Sequence, residues 1–299
     1  MPAFLRMLYK VSFDALKHFS EDDGWAMASH VALSALLAVF PFLIFGTAVA
    51  GFFGADTFAD TAIHLIFDTW PEAIARPLAE QVLQVLTVPR GLLTISVLAA
   101  AYFASNGVEA LRVSLNRAYR VGEDRPWYLT RLVSFAYVIG GVIVLAIVSA
   151  LLVAVPIALA FASKWFPLLE EFLAVVSNWR VYGTLLLLAA GLIIFHLGLP
   201  AGHRRLRDVI PGVLLTLVLW LVGALAFASY LATFANYAAT YAGLASVMVV
   251  LVFLYMVGAI FIIGAEFNAA LLKYDVLSGR RMANARRRSR KADQPSDVG

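Results

Sequence analysis

Residues Ala259–Leu272 read AIFIIGAEFNAALL, an apolar run that nevertheless contains a carboxylate, Glu266, and an amide, Asn268. An ionised side chain at the centre of a bilayer costs at least ~2.5 kcal/mol. Either this run lies outside a membrane, or its polar side chains pack against other protein groups. The rest of the sequence decides between these two alternatives.

The composition is that of a membrane protein. Hydrophobic residues make up 62% of the 299-residue chain and charged residues only 14%, and the mean hydropathy is +0.85. Soluble domains contain about 25% charged residues. Cysteine is absent, which excludes disulfides and thiol chemistry. The N-terminal stretch lacks the pattern of a cleavable signal peptide, so we expect the first transmembrane helix to direct insertion.

Six segments are apolar over the ~20 residues that a membrane-spanning helix needs. They lack the alternation that barrel strands show. A tight turn at Gly243 would join the fifth and sixth of these segments. The sequence therefore predicts an all-α polytopic bundle of six transmembrane helices, at about His30–Phe53, Gly91–Leu111, Leu129–Phe161, Tyr182–Leu199, Val209–Phe234 and Leu244–Leu272.

Lysine and arginine are concentrated on one side of the predicted bundle. Of 23 such residues, 19 fall before the first helix, in the connections after the second and fourth helices, and in the C-terminal tail. The positive-inside rule places these segments, and both termini, in the cytoplasm. We expect three parts: a cytoplasmic amphipathic helix at 1–24, a transmembrane domain at 25–274 with outer amphipathic helices at 54–90, and a disordered basic tail at 275–299.

Two basic segments predict contact with anionic membrane lipid. In Phe4–Phe19 an apolar face lies opposite Arg6, Lys10 and Lys17, which suits a helix in the inner interface or, equally, one docked on the bundle. The tail at Arg280–Lys291, RRMANARRRSRK, is attracted to anionic lipid. Because no aromatic residues are interleaved with its charges, it does not predict nucleic-acid binding.

Polar residues within the predicted helices recur near the cytoplasmic end of the bundle. Glu266 lies ~12 Å from the midpoint of its helix, and the second helix carries a polar stripe at three- and four-residue spacing. We predict that these side chains meet, with Arg112 or Arg117 neutralising Glu109 or Glu266. The candidate residues are His30, Ser34, Asn106, Glu109, Arg112, Asn116, Arg117, His196, Glu266 and Asn268.

Two roles fit such a cluster. It could form a cytoplasm-facing site for a substrate or proton, with His30 as proton carrier, or an interhelical clamp that fixes packing. At the outer end, Tyr230, Tyr237 and Tyr241 favour an interfacial aromatic belt over a ligand site. The sequence contains no catalytic signature and no His–carboxylate metal motif, so we expect no catalytic residue, metal or cofactor.

Three blocks of the sequence stand out together: AMASHVALSALLAVFPFL at Ala26–Leu43, ASNGVEALRVSLNRAYRV at Ala104–Val121, and Pro211–Leu271, which contains Gly264-Ala265-Glu266. In combination they resemble the YihY/BrkB family of bacterial inner-membrane proteins. The resemblance extends from Phe4 to Tyr274 and implies a six-helix protein of the inner membrane. It implies no particular reaction, although an old ribonuclease label on some members implies tRNA processing.

Three classes of function can be weighed on the sequence. A transporter or lipid-translocating protein accounts for both the bundle and the polar cluster, and a structural or assembly membrane protein is the alternative. A ribonuclease is rejected, because the inner connections offer only the scattered carboxylates of Glu123, Asp124 and Asp208. A homo-oligomer is compatible with either remaining class.

Overall fold

The computed structural model describes residues 3–52, Arg76, 93–165 and 179–274, and these residues form helices without any strand. The predicted all-α class is therefore confirmed over this part of the chain, whereas the outer segment at 54–90, apart from Arg76, and the basic tail lie outside it. The helices are α1 (Ala3–Glu21), α2 (Gly24–Phe52), α3 (Leu93–Ala118), α4 (Trp127–Trp165), α5 (Trp179–Gly198) and α6 (Leu206–Lys273).

Four segments of the described helices are long and apolar enough to cross a membrane. They agree with the first, third, fifth and sixth predicted helices. α5 adds a shorter apolar stretch, Tyr182–Gly198, and α3 covers most of the second predicted helix. The four spans are Gly24–Gly46, Trp127–Val148, Leu206–Leu231 and Val247–Lys273.

α6 doubles back on itself. Its 68 residues would measure ~100 Å as a straight helix, yet the Gly212 N–H donates to Oδ1 of Asn268 at 2.7 Å. The Trp220 indole also donates to the Val257 carbonyl at 3.1 Å. Two antiparallel arms result, which we call the first arm (Leu206–Leu231) and the second arm (Val247–Lys273).

The sequence analysis differs from the structure at the join of the two arms. It predicts two helices separated by a tight turn at Gly243, whereas helical backbone includes Gly243. The alanine-rich sequence around this glycine favours helix. The antiparallel pairing of the two predicted segments is nevertheless the one observed.

The two arms approach most closely at a pair of glycines. A Cβ on Gly264 would lie 2.0 Å from Oγ1 of Thr216, and a Cβ on Gly212 would lie 2.2 Å from the Gly264 carbonyl oxygen. Membrane helices use small residues in this way to bring their backbones together. The crossing places Asn268, one turn beyond Gly264, against the start of the first arm.

The helices converge at one end of the bundle, where α1 lies, α2 and α4 begin, α3 and α5 end, and both ends of α6 meet. We call it the α1 end. α2 packs on α3 and α6, α3 on α4 and α6, and α5 on α6. The buried apolar cluster at this junction includes Phe19, Ala28, Leu115, Leu199, Ile262 and Ala265.

α1 is docked on the second arm of α6, which was one of the two alternatives that the sequence left open. Its Val11 and Ala15 are buried against Ala270 and Leu271. Elsewhere, large apolar side chains point out of the bundle, as at Leu37, Ile143, Leu186, Leu221 and Val252. Exposed apolar surface on this scale is unusual for a water-soluble monomer and suits contact with lipid.

The glycine crossing generates a stability prediction. We expect Gly212→Ala and Gly264→Ala each to destabilise the protein by ~1–3 kcal/mol, because the added methyl group overpacks the contact. The measurement is the apparent melting temperature of the purified protein in detergent, followed by tryptophan fluorescence. Gly191→Ala is the matched control, since a Cβ there meets nothing within 4 Å. Equal melting temperatures for all three variants would contradict the close crossing.

Candidate functional site

Asn268 joins the two arms of α6 inside the bundle, where it is fully buried. Its Oδ1 accepts the Gly212 N–H at 2.7 Å, and its Nδ2 donates to the Val209 carbonyl at 3.1 Å. These backbone partners fix the orientation of the amide, because an N–H requires the oxygen and a carbonyl requires the NH2 group. Asn268 thus supplies hydrogen bonds beside Pro211, which has no N–H.

A chain of hydrogen bonds leads from Asn268 to a buried histidine. Nδ2 of Asn268 donates to the Tyr119 hydroxyl at 3.2 Å, and that hydroxyl lies 2.8 Å from Nδ1 of His196. Because the amide NH2 can only donate, the hydroxyl hydrogen is available to Nδ1, and the neutral ring then carries its own hydrogen at Nε2. Burial raises the pKa of Tyr119 to about 12, so the hydroxyl keeps its proton at neutral pH.

His196 ends this chain in an apolar environment. Its side chain has no exposed surface and packs on Phe261, with 4.9 Å between ring centroids. Nε2 has no hydrogen-bond partner among the residues that the structure describes. The ring therefore anchors Tyr119 from α5 and ties the end of α3 to α5 and α6.

Glu266 is 1% exposed and pairs with Arg120, whose Nη2 lies 3.2 Å from Oε2. Arg120 also approaches Asp14 of α1 at 3.7 Å, and the Lys273 ammonium donates to Asp14 at 2.7 Å. Burial alone would raise the pKa of Asp14, but the hydrogen bond and charge of Lys273, together with the charges of His18 and Arg120, hold it below its ordinary value. This ionic group links α1, the end of α3 and the second arm of α6.

Arg120 has a backbone conformation that normally favours glycine, with φ = 58°. The Val121 N–H donates to the Asn116 carbonyl and the Arg120 N–H to the Arg117 carbonyl, both at 2.9 Å, which is the Schellman ending of a helix. A side chain in this conformation costs roughly 1 kcal/mol. The contacts of Arg120 with Glu266 and Asp14 explain why an arginine lies there.

A second ionic group surrounds Glu123 in the connection between α3 and α4. Arg125 donates to this carboxylate from Nε at 2.7 Å and from Nη2 at 2.8 Å, and Nδ2 of Asn116 donates at 2.9 Å. Arg112 pairs with Glu123 and also with Glu109. Two arginines and two glutamates therefore form one balanced group.

This group extends to α4 and α5 through three further hydrogen bonds. The Ser134 hydroxyl of α4 donates to Glu109 at 3.0 Å, and Arg125 donates to the carbonyl of Leu199 after α5 at 2.9 Å. The Ala201 N–H donates to Oδ1 of Asn116 at 2.7 Å. Together the two ionic groups and the Asn268 chain connect α1, α3, α4, α5 and α6 at the α1 end, whereas the described side chains of α2 take no part in them.

Six of the ten predicted cluster residues lie in these groups, although in three separate sets rather than in the single cluster that was predicted. Four others lie apart from the buried groups. His30 is exposed, which separates it from the groups that it was expected to serve as proton carrier, and Ser34 is half-buried on α2. Asn106 is exposed and accepts a hydrogen bond from Arg131 at 2.8 Å, while Arg117 lies 3.7 Å from Asp23. The six residues in the groups are Glu109, Arg112, Asn116, His196, Glu266 and Asn268.

The sequence analysis named the right partner for Glu109 but not for Glu266. Arg112 pairs with Glu109, whereas Glu266 pairs with Arg120 rather than with Arg112 or Arg117. Tyr119 was also missed. Extending the polar stripe of the second predicted helix by one more step beyond Asn116 would have reached both residues.

The predicted aromatic belt is described only at Tyr230, which is exposed. The side chains of Tyr237 and Tyr241 lie outside the described part of the structure. Among the residues described, no group of three or more His, Asp or Glu side chains is placed to hold a metal ion.

Comparison with known proteins gives a family match over most of the chain. The family model described as Virulence factor BrkB matches residues 15–290. The putative ribonuclease-like protein YfkH of Bacillus subtilis (strain 168) is 30% identical over 264 residues, which cover 87% of this chain and 94% of that protein.

A more distant relative is a UPF0761 membrane protein of Legionella pneumophila (strain Corby). It is 26% identical over 259 residues, which cover 85% of this chain but only 60% of that protein. No solved structure matches this chain significantly.

The Arg120–Glu266 pair predicts a strong dependence between two substitutions. Arg120→Ala should destabilise the protein by about 3 kcal/mol, because it leaves a buried carboxylate without a cation. Adding Glu266→Gln should recover much of this loss, and Arg120→Gly should cost roughly 1 kcal/mol less than Arg120→Ala, because glycine relieves the backbone strain.

Melting temperatures of the single and double variants in detergent measure this coupling. Arg117→Ala is the control, since Arg117 and its partner Asp23 are both exposed and such pairs contribute less than about 1 kcal/mol. Additive effects of Arg120→Ala and Glu266→Gln would contradict the pairing.

The Glu123 carboxylate predicts a dependence of stability on pH. The hydrogen bond from Arg125 is the largest of the interactions that lower its pKa from 4.5 to about 2. The ionised side chain therefore stabilises the fold above pH 4.5, and this stabilisation is lost as the pH falls towards 2. We expect Glu123→Gln to cost on the order of 2 kcal/mol at pH 7 and to flatten the fall in melting temperature between pH 5 and 3. A pH profile identical to that of the Asp124→Asn control would contradict this role.

Proposed function

This chain belongs to the family described as virulence factor BrkB, and from that premise we propose that it is a transporter or lipid-translocating protein of the bacterial inner membrane. Its membrane character follows from the family and from the apolar helices. Its orientation in the membrane, the number of its transmembrane helices and its activity are our inferences.

The buried pair of Glu266 and Arg120 carries the proposal. Glu266 lies on an apolar span, and its one ion-pair partner within the described residues is Arg120, whose own side chain is 28% exposed. A buried ion pair contributes little to stability compared with apolar packing, so stability alone does not account for it. An anionic group that reaches Arg120 from its exposed side would compete with Glu266 and Asp14 for the guanidinium. Exchange of this kind would couple ligand binding to the contacts among α1, α3 and α6.

The same account includes six transmembrane helices. α3 has 26 residues and α5 has 20, lengths of ~39 Å and ~30 Å that suffice for a hydrocarbon core of ~30 Å. With the four apolar spans they make six. The α1 end carries the basic connection between α3 and α4 and the basic connection between α5 and α6. The positive-inside rule therefore favours a cytoplasmic α1 end and cytoplasmic termini.

Anionic lipid is the partner that fits α1. One face of this helix is buried on α6, and a second, neighbouring face exposes aromatic and aliphatic side chains. Exposed basic residues border that second face, which suits a helix in the cytoplasmic headgroup layer, and the basic tail would add to the attraction. The exposed apolar residues are Leu5, Leu8, Tyr9, Phe13 and Leu16, and the basic residues are Arg6, Lys10 and Lys17.

A structural or assembly protein is the second candidate, and one specific observation favours it. Asn268 is fully buried and hydrogen-bonded on both sides of its amide, and Glu266 is almost fully buried. A cluster closed in this way also suits a clamp that fixes helix packing. Homo-oligomers are compatible with both candidates, because apolar flanks are exposed around the bundle.

We propose that the protein is not an enzyme, although the printed name of YfkH includes the term ribonuclease-like. The four carboxylates of the two ionic groups are engaged by basic side chains rather than arranged around an open position. Asp14 contacts Lys273 and Arg120, Glu109 contacts Arg112, Glu123 contacts Arg112 and Arg125, and Glu266 contacts Arg120.

Flux in reconstituted vesicles tests the proposed activity. We expect vesicles that contain the protein to move a fluorescent phospholipid analogue or an encapsulated anionic solute faster than empty vesicles. Glu266→Gln should reduce this flux roughly tenfold or more, a change of about 1.4 kcal/mol in the barrier. The exposed pair of Lys17 and Glu21 provides the control, Glu21→Gln, which should retain full flux.

The outcomes separate the candidates. Full flux in a correctly inserted Glu266→Gln variant would exclude the coupling role of this carboxylate. A folded wild-type protein that moves neither lipid nor solute would favour the structural or assembly candidate.

A further inference from the structure

Arg131 is held in a fixed position on the side of the bundle, between α3 and α4. Its Nη2 donates to Oδ1 of Asn106 at 2.8 Å and to the Tyr102 carbonyl at 3.2 Å. Its guanidinium carbon lies 4.0 Å from the centre of the Tyr102 ring and 5.9 Å from that of Phe135. Stacking and hydrogen bonding together pre-organise the plane of the guanidinium.

Its charge has no counter-ion in the described part of the structure. The neighbouring group of Arg112, Arg125, Glu109 and Glu123 is already balanced, and Arg131 forms no ion pair with a described residue. Glu109 interacts with Arg131 only at longer range, since its oxygens accept from Arg112 and Ser134. One positive charge therefore remains beside the apolar surface, where an unpaired charge is costly.

The guanidinium also keeps unused donors. Both hydrogen bonds that it makes come from Nη2 and go to neutral oxygens, and both lie at the exposed surface. Nη1 makes no hydrogen bond within the described residues. The two hydrogens of Nη1 can therefore bond to the oxygens of a phosphate, whereas Nε is buried without a partner among the described residues.

The surface around Arg131 has the order of groups that a lipid requires. Trp127 and Tyr128, at the start of α4, are exposed at the level expected for headgroups. Leu132 is exposed one residue beyond Arg131, and Leu98 and Ile139 are exposed one turn or more further from the α1 end. Phosphate at Arg131 would therefore leave acyl chains along an apolar strip of α3 and α4.

From this juxtaposition we propose that Arg131, Asn106 and Tyr102 form a binding site for the phosphate of an anionic phospholipid in the cytoplasmic leaflet. The lipid phosphate neutralises Arg131, and the apolar strip holds the acyl chains. The site shares no residue with the Glu266–Arg120 pair and does not depend on whether the protein transports anything, while its place in the cytoplasmic leaflet rests on the orientation proposed above.

Lipid titration of the purified full-length protein tests this site. Phosphatidylglycerol, added to the protein in detergent, should raise the melting temperature in a saturable manner, and phosphatidylcholine with the same acyl chains should raise it less. Arg131→Gln should weaken the apparent affinity for phosphatidylglycerol roughly tenfold or more, because a hydrogen-bonded charge pair is lost. Arg131→Lys should fall between the two, because it keeps the charge but not the planar group that stacks on Tyr102 and bonds to Asn106.

Two controls decide the interpretation. Arg207→Gln removes the same charge from an exposed arginine that already faces Asp208 at 3.7 Å, and it should leave the lipid affinity unchanged. Inorganic phosphate should stabilise the protein much less than phosphatidylglycerol does.

Three results would overturn the proposal. They are equal effects of the two phospholipids, an unchanged affinity in both Arg131 variants, and equal stabilisation by inorganic phosphate, which would indicate a site for free anions instead. If Arg131→Gln fails to fold, the affinity of Arg131→Lys relative to Arg207→Gln decides the outcome.

Discussion

The close crossing of the two arms of α6 at Gly212 and Gly264 is the contact on which the rest of the structure depends. Residues 264 and 268 lie one turn apart on the same face of a helix, so the glycine contact also directs Asn268 to the first arm. Glu266, half a turn away, must then face the other side, where α1 and the end of α3 lie. One backbone contact therefore determines where both polar side chains of AIFIIGAEFNAALL point. It explains how an apolar helix can carry a carboxylate, because Glu266 is turned towards protein rather than towards lipid.

The polar side chains at the α1 end form three separate groups, and within each group they form hydrogen bonds or ion pairs with one another. Asn268, Tyr119 and His196 are neutral and buried, the Glu123 group is balanced, and Glu266 relies on Arg120. Arg120 is the most demanding member, because it keeps a strained backbone conformation to place its guanidinium between two carboxylates. We infer that this position is where ligand binding could alter the packing of α1 against α6.

The sequence was sufficient for the helical class, for most of the apolar spans and for the statement that Glu266 has a partner. Long apolar runs and the spacing of polar residues carry that information directly. It was not sufficient to identify Arg120 as the partner of Glu266. Whether this guanidinium can contact Glu266 depends on the left-handed backbone conformation of Arg120 and on how closely α6 packs against the end of α3. It also misplaced His30, since α2 is apolar on nearly all sides and its sequence does not indicate which face is inward. The uncompensated charge of Arg131 becomes visible only when the partners of Glu109 and Glu123 are known.

Disulfide formation across the glycine crossing is the most direct test of this account. The chain has no cysteine, and a Cβ on Gly264 lies 3.4 Å from Cβ of Thr216, close to the ~3.8 Å usual in disulfides. The Thr216→Cys/Gly264→Cys variant, oxidised in native membranes and then denatured, should resist labelling by a maleimide. The Thr216→Cys/Gly191→Cys pair should label at both thiols. Because a side chain at Gly264 itself strains the contact, the oxidised variant must also insert and keep its fold. Two free thiols in such a folded variant would contradict the crossing and, with it, the placement of Asn268 and Glu266.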